Sequence, residues 1–254
     1  MAFASPATPL RVLTVNIHKG YTQFRRRSML HELREAVRAE HSDVVFLQEV
    51  EGTDRPPHGA HGEIPGTQVE FLADQVWTDH AYGRNAVATG TGTDHGNALL
   101  SRHPILSWRN HDVSLPPAEP RGLLHSTVAP SGERAPLHLV CVHLGLRESH
   151  RRQQLARLRS LLLQVVPADA PLVVAGDFND WRVCADRALH GSGLREVFRH
   201  AHGRHARSFP ARWPLLALDR IYVRGVASHR PLTLPREPWS RLSDHAPLAA
   251  EIVL

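Results

Sequence analysis

The chain of 254 residues is 42% hydrophobic and 22% charged, which supplies enough apolar side chains for a sizeable core and excludes an intrinsically disordered protein. No apolar run approaches the roughly 20 residues of a transmembrane helix, and residues 1–10 lack the basic start and apolar stretch of a secretory signal. The net charge of +5 favours anionic partners, although a compositional bias towards arginine explains it equally well. The two cysteines cannot build a disulfide framework, so we expect a cytoplasmic protein.

The first third of the chain predicts strands alternating with helices. RVLTVNI (11–17) and VVFLQEV (44–50) are strand-like runs of β-branched and other apolar residues. Apolar residues at helical spacing predict a helix over 25–40, and a shorter one follows at about 69–77. Residues 51–67 are rich in Gly, Pro and His and predict a loop.

The middle third predicts successive antiparallel strands separated by clusters of turn residues. These strands are expected over 81–89, 96–101, 105–113, 122–129 and 136–144. The last third begins with the clearest helix, over 148–166. Its apolar stripe contains Leu155, Leu158, Leu162 and Val165. Its arginines are expected to face solvent: Arg151, Arg152 and Arg159.

Three further strands are predicted over 171–178, 219–225 and 247–254. No internal repeat and no linker divides the chain, so we expect one domain over 11–254, preceded by a flexible tail at 1–10. Many strand-like runs with helices between them predict an α/β protein of packed layers.

Polar side chains stand at the ends of several apolar strands, where packing alone gives no reason for them. They are Asn16, Glu49, His143, Asp177, Asn179, Asp219, Asp244 and His245. A single such residue is readily explained as a helix cap or turn residue, but a carboxylate beside a buried strand costs several kcal/mol unless it is paired or binds a metal. Because strand ends at one edge of a sheet converge in space, the whole set predicts one polar site.

The residue types in this set favour metal-assisted hydrolysis. The carboxylates and amides are hard oxygen ligands, which suit Mg²⁺ or Mn²⁺. His143 and His245 can donate to an anion or move a proton. The chain has neither a G-x-S-x-G elbow nor an H-E-x-x-H helix. The set therefore indicates attack of water on a phosphate ester.

Seven short motifs occur in one order along the chain. They are TVNIHKG (14–20), FLQEV (46–50), HGNALLSRHPI (95–105), CVHLGL (141–146), AGDFND (175–180), LDRIYV (218–223) and SDHAPL (243–248). Together they resemble the endonuclease/exonuclease/phosphatase superfamily, which includes DNase I-like nucleases, neutral sphingomyelinases, inositol-polyphosphate 5-phosphatases and exonuclease III-type enzymes. The resemblance covers residues 11–254 and implies a four-layer sandwich, in which two mainly antiparallel sheets pack face to face with helices outside.

The resemblance also implies roles for the metal-binding residues. Glu49 would be the direct ligand of Mg²⁺ or Mn²⁺, with Asn16 and Asp244 close to the ion or its waters. Two further residues would contact the substrate. Asn97 matches a position near the substrate phosphate, although a turn asparagine that opens a strand explains it equally well. Arg121 stands where relatives often carry an arginine, and a surface position is equally compatible with it.

The remaining residues would carry out the catalytic steps. Asp219 would hydrogen-bond His245 and favour its imidazolium, and His143 would contact a phosphate oxygen. Asp177 would orient or deprotonate the attacking water, which Asn179 would steady. Exonuclease III-like relatives have a tyrosine in place of His143, so the chain is closer to the DNase I, sphingomyelinase and 5-phosphatase side.

The identity of the phosphate ester stays open at this level. A nuclease-like phosphodiesterase is the first hypothesis, a phosphatase or phospholipase acting on a lipid or inositol head group the second, and a catalytically silent binding module the third. No apolar hairpin insertion of the kind found in lipid-cleaving relatives stands out, and no obligate protein partner is evident. A long basic groove would indicate nucleic acid, a closed pocket a small head group, and an apolar rim a lipid.

Two loops are expected to face the substrate, at 51–67 and 199–212. The second contains His200, His202 and His205, which are either a transition-metal site or part of a solvated Arg/His-rich loop. Trp213 and Trp239 are expected to pack against neighbouring strands or to contact a base or a lipid.

Overall fold

The computed structural model of the protein describes residues 9–20, 29–52, 67–87, 94–132 and 135–254. The strands in chain order are β1 (Leu10–Asn16), β2 (Val44–Glu51), β3 (Asp79–Val87), β4 (Asp94–Ser101), β5 (Ile105–Asp112), β6 (Gly122–Val128), β7 (Leu137–His143), β8 (Leu172–Asp177), β9 (Arg195–Glu196), β10 (Asp219–Arg224), β11 (Ser228–Leu232) and β12 (Leu248–Val253). The helices are α1 (Leu30–Ala39), α2 (Gln68–Ala73), α3 (Glu148–Val165), α4 (Ala185–Ala188), α5 (Val197–His202) and α6 (Trp239–Leu242). A short 3₁₀ turn covers His18–Gly20.

The strands form two six-stranded sheets, in the orders β11-β12-β1-β2-β4-β3 and β5-β6-β7-β8-β10-β9. Each sheet has one parallel pair, β1 with β2 and β7 with β8. The other described pairs are antiparallel. The expectation of two mainly antiparallel sheets is therefore confirmed.

Three apolar clusters separate four layers. The central cluster lies between the sheets. A second cluster joins the first sheet to α1, α2 and α6, and a third joins the other sheet to α3 and α4. Strand alternation supplies both faces, since Phe46 of β2 points between the sheets while its neighbour Leu47 faces the helices. This arrangement confirms the predicted four-layer sandwich.

The pairing brings the ends of several strands to one end of the sandwich. In the first sheet Asn16, the last residue of β1, pairs with Gln48 near the end of β2. In the second sheet Asp177 at the end of β8 pairs with His143 at the end of β7 and with Asp219 at the start of β10. The strand ends that carry polar residues in the sequence are therefore neighbours.

Several elements differ from the sequence-based expectations. β11 was not predicted, because Pro231 makes this stretch resemble a loop. The strand lies at the edge of its sheet, where a proline is tolerated. On α3, Arg151 is buried rather than solvated, and its guanidinium covers the ring of Trp181 at 4.0 Å. Val165, expected on the apolar stripe, is exposed.

Some expected segments fall largely outside the described residues. They include residues 1–8 of the expected tail, the start of the helix expected over 25–40, and most of the loop at 51–67. Leu10, the last residue assigned to the tail, already belongs to β1. Within the described ranges, no helix is long and apolar enough to cross a membrane.

Candidate active site

Asn16 joins the two sheets at the end where the polar residues gather. Its Nδ2 donates to Oε1 of Glu49 at 3.2 Å and to Oδ2 of Asp177 at 3.3 Å. Glu49 belongs to the first sheet and Asp177 to the second. One amide therefore holds carboxylates from both halves of the sandwich in a single site.

Strand alternation points four of the predicted residues into the space between the sheets: Asn16, His143, Asp177 and Asp219. Residues at alternate positions of the same strands belong to the central core: Val12, Cys141, Ala175 and Ile221. Because side chains repeat their orientation every two residues, the polar residues continue the core rows at their ends. The site is thus the polar end of the inter-sheet core.

Glu49 departs from the alternation of its strand. The register of β2 against β4 shifts between Leu47 and Val50, and Glu49 has a φ of 57°. An L-residue in this left-handed region costs about 1–2 kcal/mol, and backbone strain of this kind clusters at functional sites. The bulge turns the Glu49 carboxylate towards the amide of Asn16.

Asp177 is held by the residues that follow it. The backbone N–H of Asn179 donates to Oδ1 of Asp177 at 2.8 Å, and the Asn179 side chain donates to Oδ2 at 3.1 Å. Asn179 has a φ of 49°, a conformation that asparagine tolerates better than most residues. Gly176, just before the carboxylate, lies so close to β7 that an added Cβ would stand 2.0 Å from the carbonyl oxygen of Val142.

Burial makes Asp177 an unusual carboxyl group. Desolvation raises its pKa to about 7, against the attraction of His245. Nε2 of His245 lies 3.9 Å from Oδ2 of Asp177, and Nε2 of His143 lies 3.6 Å from the same oxygen. A carboxyl that titrates near neutral pH between two imidazoles can accept a proton from water.

The two histidines of the site differ in charge. Burial, followed by the positive charge of Arg121, lowers the pKa of His143 well below its ordinary value. Burial also acts against the imidazolium of His245, but the negative charges of Asp219, Asp177 and Asp244 together outweigh it and raise the pKa of His245 to about 10. At neutral pH the site therefore combines a neutral His143 with a cationic His245.

His18 and Ser243 lie in the site and were not predicted from the sequence. Nδ1 of His18 lies 3.8 Å from Oε2 of Glu49 and 3.7 Å from Oδ2 of Asp244. Ser243 donates to the carbonyl oxygen of Asn16 at 2.6 Å and accepts from the backbone N–H of His245 at 3.2 Å. His18 belongs to the motif TVNIHKG and Ser243 to SDHAPL, so membership of these motifs could have indicated both residues.

The two expected substrate contacts are buried. Asn97 lies within β4 rather than in a turn, and its amide donates to the carbonyl oxygens of Gly122 and Cys141 at 2.9 and 3.3 Å. Its Oδ1 has no hydrogen-bond partner in the part of the chain that the structure describes. Asn97 thus bridges the sheets beneath the site.

Arg121 is likewise buried rather than on the surface. It forms an ion pair with Glu119 at 2.7 Å, and Glu119 also contacts His95 at 2.8 Å. Nε of Arg121 donates to the carbonyl oxygen of Leu144 at 3.4 Å, and Asn179 donates to the same oxygen at 2.9 Å. Arg121 therefore reaches the site through the Leu144 carbonyl, and its pairing with Glu119, like that of Glu119 with His95, could not be predicted from the sequence.

Two sets of side chains offer ligand atoms for a divalent cation. The first set, implied by the resemblance, is Asn16, Glu49 and Asp244. The second is Asp177, Asp219 and His245, whose ligand atoms lie within 4.8 Å of one another; of these, His245 offers no lone pair to a metal while it is protonated. Oδ1 of Asp219 is buried with no hydrogen-bond partner among the described residues. The carboxylate and amide oxygens in these sets are the donors that Mg²⁺ and Mn²⁺ prefer, so the residues present fit such an ion.

The three histidines of the segment 199–212 do not converge on one point. His205 lies between carboxylates, 3.1 Å from Glu196 and 3.2 Å from Asp186. The ring of His200 packs against His229 at 4.8 Å, while His202 is exposed. This geometry does not support a metal site built from all three.

The two tryptophans that the sequence left open have different surroundings. Trp239 is buried, and its indole N–H donates to Glu40 at 3.1 Å. Trp213 is 72% exposed. Trp239 therefore packs in the core, and Trp213 is available to a ligand or surface.

The chain is similar in sequence to proteins from two bacteria. The protein YbhP of Escherichia coli K12 is 52% identical over 247 residues, which cover 96% of each chain. UPF0294 protein VP2298 of Vibrio parahaemolyticus is 28% identical over 192 residues, covering 73% of this chain and 63% of that protein. The first likeness extends over nearly the whole length of both proteins.

Solved structures share the fold at lower sequence identity. The endonuclease/exonuclease/phosphatase of Beutenbergia cavernae superposes with a TM-score of 0.75 at 22% identity, covering 97% of this chain and 72% of that one. A humanized TDP2 of D. rerio superposes with a TM-score of 0.69 at 20% identity, covering 97% and 99%. The model of the Endonuclease/Exonuclease/phosphatase family matches residues 13–245. With that match spanning the site residues from both sheets, the chain belongs to the endonuclease/exonuclease/phosphatase family.

Proposed function

We propose that the chain is a divalent-metal-dependent phosphodiesterase that works by in-line attack of water. Members of the family are in general metal-dependent phosphoesterases acting on phosphate esters. The observation that carries the proposal is the placement of Asp177, whose pKa is about 7, within 3.9 Å of the cationic His245. This pair combines a proton acceptor with a positive charge at one point.

Asn16, Glu49 and Asp244 would hold Mg²⁺ or Mn²⁺. Asn16 is fixed between the sheets by its bonds to Glu49 and Asp177, so the donor set is preorganised. When bound, the ion would neutralise charge on a phosphoryl oxygen, which is the main requirement of phosphoryl transfer.

Asp177 would take a proton from the attacking water through Oδ2. Its pKa near 7 suits a general base, because about half of such groups are ionised at neutral pH and the carboxylate is still basic. The two hydrogen bonds from Asn179 fix the carboxylate and leave it a single orientation. Asn179 is thus a positioning residue for the base.

His245 and His143 would contact the phosphate from two sides. Asp219 keeps His245 charged and directs its Nε2 towards Asp177, so the imidazolium would stabilise negative charge that grows on the phosphoryl group. His143, neutral through burial, would donate to a non-bridging or leaving-group oxygen. One such donor contributes roughly 3 kcal/mol to transition-state stabilisation.

A nuclease-like substrate remains the first candidate from the sequence, and a phospholipid head group is the second. The exposed apolar side chains on loops next to the site favour the second candidate. The cytoplasmic location expected from the sequence stays a prediction.

The proposal is tested by comparing bis-(p-nitrophenyl) phosphate, supercoiled plasmid, single-stranded oligonucleotides and phosphatidyl substrates. Each is assayed with Mg²⁺, Mn²⁺ and EDTA. We expect turnover of the soluble diester that depends on the metal and stops with EDTA. The absence of metal-dependent turnover on every substrate would overturn the proposal and leave a binding module of the same fold.

A further inference from the structure

Exposed apolar side chains concentrate around the candidate active site. Ten large apolar side chains are exposed in the described part of the chain, and six of them lie on loops at the site. We refer to these six as the apolar rim: Leu146, Trp181, Val183, Trp213, Leu215 and Leu216. Contiguous exposed apolar surface usually marks an interaction site.

The topology places the loops of the apolar rim next to the site. Leu146 lies three residues after His143 in the loop that leaves β7. Trp181 and Val183 lie in the loop after β8, which also carries Asn179. The remaining three lie in the loop that enters β10 at Asp219. Each of these loops therefore has an exposed apolar side chain within a few residues of a site residue in the sequence, either in the loop itself or at the adjoining strand end.

The loop before β10 forms a small hairpin closed by a bridge between Phe209 and Leu216. At its base, the ring of Phe209 packs against His245 at 5.1 Å. Beyond that bridge, Trp213 is 72% exposed and Leu215 is 65% exposed. The hairpin is thus anchored on a candidate catalytic residue and presents apolar side chains to its surroundings.

The segment that contains the hairpin is rich in positive charge. Residues 199–218 contain four arginines and no acidic residue. Three of them, Arg204, Arg207 and Arg212, are exposed and lie within 4 Å of no carboxylate among the described residues. Arg147, beside Leu146, is also exposed. Unpaired arginines next to apolar side chains complement a surface that is anionic outside and apolar beneath.

The composition of the rim distinguishes between two classes of anionic partner, nucleic acid and lipid. A single-stranded nucleic acid would stack its bases on aromatic faces. Four of the six rim residues are leucine or valine, which offer no such face but do enter a lipid layer favourably. Tryptophan is itself enriched at the membrane–water interface.

We propose that the apolar rim docks on the surface of an anionic phospholipid bilayer and brings the site to the phosphodiester of a lipid head group. The docking surface stands on the geometry alone, whereas the lipid substrate also rests on the proposed phosphodiesterase function. The arginines would contact lipid phosphates, while the hairpin side chains enter the interface. The rim is assembled from separate loops and spans no bilayer.

Co-sedimentation with vesicles tests the docking surface. The full chain is mixed with vesicles of phosphatidylcholine alone or with 30% phosphatidylglycerol. We expect binding to the anionic vesicles to be at least tenfold stronger, and to weaken at high salt because the arginine contribution is screened. Equal binding to both vesicle types, or binding to neither, would overturn the proposal.

A matched pair of double variants locates the surface. Trp213→Ser with Leu215→Ser removes two rim side chains, while Leu106→Ser with Trp108→Ser removes the same residue types from β5, where they are also exposed. We expect at least a tenfold loss of vesicle binding only in the rim variant, with the melting temperatures of both variants recorded. An equal loss in the β5 variant, or loss of oligonucleotide binding with vesicle binding intact, would refute a lipid-docking rim.

Turnover separates this proposal from the proposed function. The ratio of turnover on phosphatidylglycerol vesicles to turnover on bis-(p-nitrophenyl) phosphate should fall at least tenfold in the rim variant and stay constant in the β5 variant. Vesicle binding without turnover of any ester would overturn the enzymatic proposal but keep the docking surface. Turnover of the soluble diester without vesicle binding would overturn the docking surface alone.

Discussion

Nδ1 of His245 lies 2.8 Å from Oδ2 of Asp219, and both side chains are buried. Asp219 begins β10 in one sheet, whereas His245 lies in the loop before β12 of the other sheet. A carboxylate in this position favours the charged imidazole, and it raises the pKa of His245 to about 10 against the effect of burial. The same contact fixes the ring so that Nε2 faces Asp177. Asp219 therefore orients His245 and contributes to its charge together with Asp177 and Asp244.

We expect Asp219→Asn to reduce turnover by at least roughly 100-fold, because the pKa of His245 would fall and its ring would lose the partner that orients it. The measurement is kcat on bis-(p-nitrophenyl) phosphate together with the pH titration of His245 by NMR. Asp186→Asn is the control, since Asp186 accepts from Tyr222 at 2.6 Å away from the site residues. An unchanged His245 pKa in Asp219→Asn would show that Asp219 does not hold the charge.

Glu49→Gln should weaken the binding of Mn²⁺ by at least roughly tenfold and remove most of the activity, because an amide oxygen is a poorer ligand than a carboxylate. Isothermal titration with Mn²⁺ measures the affinity without reference to turnover. Glu51→Gln in the same strand is the control, since its contact with Gln68 does not involve the site. Wild-type metal affinity in Glu49→Gln would contradict its assignment as ligand.

The pH dependence of turnover should be bell-shaped. Asp177 must be ionised to accept a proton, so the rate rises as pH increases towards about 7, the pKa to which burial raises this carboxyl. A bound cation would lower the pKa of Asp177, and the rising part of the profile would then lie at a lower pH. His245 must be protonated, so the rate falls as pH passes about 10, the pKa that Asp219 maintains despite burial.

Asp177→Asn tests the acidic limb of this profile. We expect that limb to disappear and the rate to fall at least roughly 100-fold, since the water loses its proton acceptor. His125→Asn, which changes a histidine outside the site, should keep both limbs. An acidic limb that persists in Asp177→Asn would assign the base to another group.

Acid should destabilise the fold through a stacked pair of histidines. His125 and His138 have ring centroids 5.2 Å apart and a nitrogen–nitrogen distance of 3.0 Å. Burial, then the neighbouring His138, lowers the pKa of His125 from its ordinary 6.5 to about 4, and burial lowers that of His138. The unfolded chain therefore binds more protons, and the free energy of unfolding decreases as pH falls from about 6.5 towards 4.

Melting temperatures at pH 7.5 and pH 5.0 measure this effect. In His125→Asn we expect the decrease on acidification to be several degrees smaller than in the wild type, because one depressed pKa has been removed. His202→Gln, at an exposed position, should behave like the wild type. An undiminished decrease in His125→Asn would mean that other groups dominate acid unfolding.

The long strands and the clearest helix could be predicted from the sequence because their apolar periodicity is strong. β7, β8 and α3 match their expected spans within about two residues. β11 and α5 could not, since Pro231 interrupts the first and the second lies in an Arg/His-rich stretch that resembles a loop. The pairing partner, rather than local preference, makes such an edge strand.

The candidate site residues were identified from the sequence because a polar residue at the end of a buried strand is conspicuous. The burial of Arg121 could not be predicted from the sequence, because its partners Glu119 and Leu144 lie in two different loops. His18 was also missed, since its closeness to Glu49 and Asp244 depends on the bulge in β2 and on the pairing of β1.

By itself, the sequence determined that this protein has one layered α/β fold with a polar set suited to a divalent metal and a phosphate ester. Apolar periodicity and residue chemistry are local properties, so they can be recognised in the sequence alone. Only the tertiary structure decided the charge states of His143 and His245, since these depend on burial and on partners distant in the chain. It likewise decided the apolar rim, because no single segment of the chain contains it and only the packing of three loops at one end of the sandwich brings its side chains together.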